Sequence, residues 1–136
     1  LIIQADGYIL NPHSWSDLFL YYDYVGAPWY WFGGICGNGG FSLRSKKFLE
    51  ESPKIFDQYK WDDPKYVPHL YSTCPEDYFL CVKSRSTLES KGIKFAPKGV
   101  GQQFSFEYPV GIPNEGLHSS FGFHGKHNIE EAKTIP

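Results

Sequence analysis

Gly33-Gly34-Ile35-Cys36-Gly37-Asn38-Gly39-Gly40-Phe41-Ser42-Leu43-Arg44-Ser45 is the most informative run in this chain. It holds five of the fourteen glycines and closes in an alternating pattern, with Phe41 and Leu43 on one face and Ser42 and Arg44 on the other. Such alternation predicts a short half-buried strand. Glycines this dense ahead of a strand have two uses. They allow backbone angles closed to other residues, or they clear side chains so that a ligand lies against the backbone. Ser45 then reads as an N-cap for a helix over Lys46 to Glu51 that Pro53 stops. Turn, strand and helix together form a rigid shelf. A dinucleotide fingerprint fits poorly, because Gly37-Asn38-Gly39-Gly40 leads into a strand and no Gly-Lys-Ser/Thr follows. Taken alone, the glycines favour a tight turn with no ligand.

Working outward, 136 residues make one domain, and a formal net charge of -2 without a basic stripe argues against nucleic acid as a partner. No run reaches the roughly 20 apolar residues of a membrane span, and nothing resembles a secretory signal. The three cysteines, Cys36, Cys74 and Cys81, are odd in number and show no zinc-ligand spacing, which points to a reducing, cytoplasmic setting. The chain opens on Leu1-Ile2-Ile3 and contains no methionine, so the expectation is a piece of a longer product lacking its N-terminal part.

Leu1-Ile2-Ile3 reads as a buried, central strand ending at Gln4-Ala5-Asp6-Gly7. Carboxyl ends of strands in open α/β sheets face the ligand crevice, so Asp6 sits where a carboxylate holds Mg²⁺ or Mn²⁺ against a diphosphate. The same Asp-Gly dipeptide is the commonest of turns, and alone it favours that use. Asn11-Pro12 opens a predicted amphipathic helix through about Tyr21 on Trp15, Leu18, Phe19 and Tyr22. Tyr24 to Pro28 returns as a strand. Trp29-Tyr30-Trp31-Phe32 cannot all be buried from one loop, so some rings form a platform for a flat sugar face.

From Ser52 to Thr73 the expectation is a long loop, in which Asp62-Asp63 reads as a solvated turn rather than a metal pair. Thr73-Cys74-Pro75-Glu76-Asp77 starts a helix that Gly92 ends. Dipole compensation explains both acids. A carboxylate held at a helix start also suits a general base or an anchor for a sugar hydroxyl. Ile93 to Ala96 reads as a strand and Gln102 to Phe106 as an edge strand. His124, among aromatics and glycines in Phe121-Gly122-Phe123-His124-Gly125, stands apart from the surface histidines His118 and His127.

Asp6-Gly7, Gly26-Ala27-Pro28-Trp29, the run from Gly37 to Ser45, Pro75-Glu76-Asp77, Gly92 to Ala96 and Phe123-His124-Gly125 occur in this order. In that order they resemble the glycosyltransferase-like family catalogued as domain of unknown function 5672, which looks like a GT-A type nucleotide-sugar transferase. The resemblance implies an α/β fold, a mixed sheet with flanking helices, of which this chain is the metal-strand and acceptor half. It implies a nucleotide-sugar donor, a glycan or other hydroxyl acceptor, and a divalent metal, Mn²⁺ or Mg²⁺. By position, Asp6 and His124 are the metal or diphosphate contacts. Asn38, Gly39, Gly40 and Arg44, with Trp29 and Trp31, are substrate-binding, the two glycines lying under the donor sugar. Asp77, with Glu76, faces the acceptor as the catalytic acid pair. The metal motif of such enzymes is usually Asp-x-Asp, whereas this chain has Gln4-Ala5-Asp6. A non-catalytic carbohydrate-binding module with an aromatic platform and a purely structural domain are the competing readings.

Overall fold

A computed structural model describes residues 1–56 and 75–135. The chain runs through strands β1 (Ile2–Ile3), β2 (Gly7–Ile9), β3 (Tyr24–Gly26), β4 (Pro28–Trp29), β5 (Ile35–Cys36) and β6 (Phe41–Arg44). Helices α1 (Lys46–Phe56), α2 (Glu76–Tyr78), α3 (Arg85–Ser90) and α4 (Lys98–Phe104) follow, then β7 (Ser105–Phe106), β8 (Gly122–His124) and α5 (Ile129–Ala132). Two three-stranded sheets carry the fold, in the orders β1-β6-β3 and β2-β8-β7, with β4 and β5 as a separate antiparallel pair. The first is antiparallel; the second is mixed, because β7 runs parallel to β8 while β2 runs against it. The class is therefore α/β with small mixed sheets, as read from the sequence.

The glycine-rich run delivers β6 to the middle of its sheet, and that placement covers Ser42 as completely as Phe41. Ser45 caps α1 as expected, its Oγ accepting from the Phe48 N–H at 3.0 Å. Pro53 does not stop that helix, which continues through it to Phe56. Phe48 and Ile55 on α1 pack with Tyr24, Phe79, Leu88 and Phe95 in one core cluster. Phe19, Val25, Phe41, Phe104 and Phe121 make a second on the other side of β3. Within the first cluster Tyr24 is fully buried and its hydroxyl donates to the carbonyls of Gly37 and Asn38, at 2.8 and 3.1 Å. The turn is thus pinned from below by a core residue.

Several expectations are corrected. Leu1, Ile2 and Ile3 are exposed rather than buried, because β1 is the edge of its sheet. The helix expected through Tyr21 is two 3₁₀ turns, Pro12–Ser14 and Asp17–Tyr21, the second capped by Ser16. Asn11 caps nothing; its amide donates to the carbonyls of Leu117 and Ser120. Ile93 to Ala96 contributes only a parallel bridge, Tyr24 to Phe95. Gln102 to Phe106 is the end of α4 followed by β7. There the glycines permit close packing: a Cβ on Gly101 would lie 2.2 Å from Cys36 Sγ and 2.6 Å from the Gly26 carbonyl. Thr73, Cys74 and Asp62-Asp63 lie outside the described residues. Among those residues Cys36 and Cys81 are free and buried, and burial pushes the Cys36 thiol up to about 12. No described helix is long and apolar enough to cross a membrane.

Gly101→Ala tests the α4 contact. Helix propensity alone would make alanine stabilising by about 1 kcal/mol. The overlap with Cys36 and Gly26 reverses the sign, and a net loss of roughly 1–3 kcal/mol is expected in a urea melt.

Candidate functional site

Strand register builds the site. Gly7 sits opposite His124 in the β2–β8 pair, so the residue before it, Asp6, reaches the same end of the sheet. The Gly125 N–H donates to the Asp6 carbonyl at 3.0 Å and fixes that turn. Asp6 Oδ1 then stands 3.3 Å from His124 Nε2. On the other side of β8, strand β7 is followed directly by Glu107, whose Oε1 lies 3.1 Å from His124 Nδ1. The order β2-β8-β7 thus lines up Asp6, His124 and Glu107 across one sheet end. An ionised Glu107 only accepts, so Nδ1 carries the proton and Nε2 faces Asp6. The 3.3 Å approach is an ion-pair distance, yet Nε2 is buried and has no hydrogen-bond partner. Burial alone would depress the imidazole. The hydrogen bond and charge of Glu107, with the charges of Asp6 and Asp77, outweigh burial and hold His124 above its ordinary value.

The glycine turn closes this arrangement into a ring. Glu107 Oε2 accepts from Asn38 Nδ2 at 2.9 Å, and Asn38 Oδ1 accepts the Gly40 N–H at 2.9 Å. Gly40 in turn faces His124: a Cβ there would fall 2.0 Å from Nε2 and 2.2 Å from Cδ2. Gly39 is covered likewise, its absent Cβ lying 2.7 Å from Arg44 Nη2 and 3.0 Å from Asp77 Cβ. The expectation that both glycines lie bare beneath a donor sugar is therefore corrected. The space they vacate is filled by His124, Arg44 and Asp77.

Asp77 takes the Gly39 N–H on Oδ2 at 3.0 Å and the Tyr78 N–H on Oδ1 at 2.8 Å. Burial holds it above the usual carboxylate value, against the opposing pull of those two amides and of Arg44. Glu76 turns away and pairs with Arg44. Arg44 is fully engaged, its Nε on Ser42 Oγ at 3.1 Å and its guanidinium 5.3 Å over the Tyr24 ring. It braces the shelf, and neither it nor Glu76 lines the cleft.

Beside Asp77 opens a cleft of about 590 Å³ lined by Trp29, Trp31, Phe32, Asn38, Pro75, Asp77, Tyr78, Glu107 and Tyr108. Trp29 is only 6 % exposed, since its ring packs over Gly37, and it forms floor rather than platform. Trp31, at 49 %, is exposed. Glu107, Asn128 and Tyr108 were missed from sequence. The signal available was an acid directly after an apolar strand, Ser105-Phe106-Glu107. Its partners at 38 and 124 are unrelated to it by any local spacing.

Asp6 and His124 Nε2 offer one carboxylate oxygen and one imidazole nitrogen, with Glu107 behind the ring where it would set the tautomer of a metal-bound histidine. Among the described residues no group of three or more His, Cys, Asp or Glu side chains is arranged to hold a metal.

Compared with known proteins, residues 1–124 match the family model described as "Protein of unknown function (DUF5672)". The chain belongs to that family. No curated protein and no solved structure matches it.

The ion-pair geometry has a pH consequence. A raised histidine value contributes stability that is fully present below the ordinary imidazole value of about 6.5 and is lost as pH rises through the folded one. We expect the His124 ring resonances to titrate above the ordinary imidazole value. Asp6→Asn should bring that titration down, and Gly40→Ala should push the ring out and bring it down further. NMR of the imidazole protons checks all three.

Proposed function

We propose that this chain is the metal-strand and acceptor half of a glycosyltransferase that moves a sugar from a nucleotide-sugar donor to a hydroxyl acceptor. The observation that carries the reading is the meeting of Asp6 and His124, from opposite ends of the chain, with a cleft-lining carboxylate, Asp77, held above its usual value nearby. A divalent cation bound by Asp6 and His124 would supply positive charge against the leaving diphosphate. The chain's own groups do the rest. Glu107 and Gly40 hold the His124 ring in place. Asp77, oriented by two backbone amides, accepts the proton of the acceptor hydroxyl as its oxygen bonds to the anomeric carbon and the bond to the diphosphate breaks. This assigns an inverting course. Gln4, exposed, takes the place of a first motif acid, which leaves Asp6 as the single carboxylate on that side.

The test is nucleoside diphosphate release from a panel of nucleotide sugars with Mn²⁺. Release that depends on both Asp6 and His124 supports the reading. Saturable sugar binding with no donor turnover supports the binding-module alternative, which the exposed Trp31 favours.

Asp77→Asn separates structure from chemistry. Both carboxylate oxygens accept N–H groups, so the amide sets an NH₂ against one of them, and a stability loss of about 1–3 kcal/mol is expected. Loss of the base should lower transfer by about 10²–10⁴-fold with donor affinity nearly unchanged. Normal turnover in a destabilised variant would assign Asp77 to the fold alone.

A further inference from the structure

We propose that the cleft beside Asp77 is the acceptor subsite and takes an uncharged or amino-bearing sugar ring, its apolar face on Trp31 and Tyr108 and its hydroxyl edge toward Asp77 and Asn38. This rests on the transferase reading and narrows its acceptor from any hydroxyl compound to a carbohydrate of defined charge.

The aromatic wall is rigid as well as exposed. Trp31 and Tyr108 meet at 5.8 Å with an interplanar angle of 65°, forming a corner rather than a flat patch. Trp31 is backed by Trp29, stacked at 6.4 Å, and flanked by Tyr30 at 4.6 Å. Tyr108 is backed by His127, stacked at 4.5 Å, and His127 Nε2 lies 2.9 Å from the Glu107 carbonyl. Rings held from behind lose little freedom when a ligand lands on them, which is what makes aromatic side chains effective in recognition. Opposite the wall the polar groups are few and fixed, as in small-ligand clefts of ordinary size. Asp77 retains lone pairs beyond its two amide bonds, and hydroxyl groups are the donors that fit them.

Charge sets the class. Asp77 and Glu107 are the ionisable acids on the cleft, and among the described residues lining it none is Lys, Arg or His. Arg44 is turned to Glu76 and Ser42. A uronic acid or sugar phosphate would bring its anion toward two carboxylates with no countercharge from the described lining. The same reasoning keeps the donor's diphosphate out of this cleft, which neither Asp6 nor His124 lines.

The experiment is tryptophan fluorescence and NMR titration of the metal-free protein. The probes are methyl glycosides of glucose, galactose, mannose and N-acetylglucosamine, with glucosamine, glucuronic acid and glucose 6-phosphate alongside. At least one neutral or amino sugar should bind saturably and shift the Trp31 indole resonance. Trp31→Ala and Tyr108→Ala should each weaken binding roughly three- to tenfold, with a cooperative melt showing that the fold is kept. Glucuronic acid and the phosphate should bind about tenfold more weakly or worse, and Asp77→Asn should narrow that gap. No saturable binding by any neutral or amino sugar, or equal affinity for the anionic ones, overturns the proposal. Donor turnover without sugar binding would leave the transferase standing with another acceptor class. Sugar binding without donor turnover would remove the transferase and the acceptor role, and keep only the ligand class.

Discussion

The carboxylate of Glu107 has a side chain only 10 % exposed, and an ion so placed is costly unless its lone pairs are met. Here Oε1 meets His124 and Oε2 meets Asn38, while the residue's carbonyl accepts from Asn128 and lies within reach of His127. Almost everything distinctive about the site follows. Asn38 orients the glycine turn, the turn leaves room for His124, and His124 is held against Asp6. Because each member of the ring touches the next, none can be repositioned without its neighbours. Such polar networks specify one arrangement when every member is satisfied and fail together when one is not.

Two sheets that share no strand are joined at this point. The glycine turn belongs to the sheet of β6, and Glu107 and His124 belong to that of β7 and β8. The Gln4 N–H, donating to the Gly40 carbonyl at 2.7 Å, extends the β1–β6 ladder as far as this junction. Tyr24, fully buried beneath the turn, ties the first core cluster to the same few atoms. The geometry of the site is thus an outcome of core packing, and not of local loop preference.

Local chemistry was legible in the sequence, and long-range coverage was not. Ser45 announced its cap, Gly92 its left-handed stop with φ of 78°, and the alternation after Gly40 its strand. The pairing of Asp6 with His124 came from a family resemblance that the strand register then made physical. Leu1 to Ile3 misled, because apolarity reports what a strand is able to bury, whereas its position at an edge decides what it does bury. Trp29 and Trp31 looked alike in a run of four aromatics, and only the β4–β5 turn separates the buried ring from the exposed one. Gly39 and Gly40 were read for the ligand they might admit, although glycine serves equally to admit a neighbour's side chain. Glu107 carried only the weak signal of an acid after a strand, since its partners are distributed over the whole chain.

The contact between Gly40 and the His124 ring ties the evolution of two distant positions together. A methyl group at 40 leaves no volume for an imidazole at 124, and a shorter side chain at 124 removes the reason for glycine at 40. Members of the family should therefore vary at these two sites as a pair. A relative that breaks the pair at one end alone would mark a branch in which the sheet end has been put to a different use.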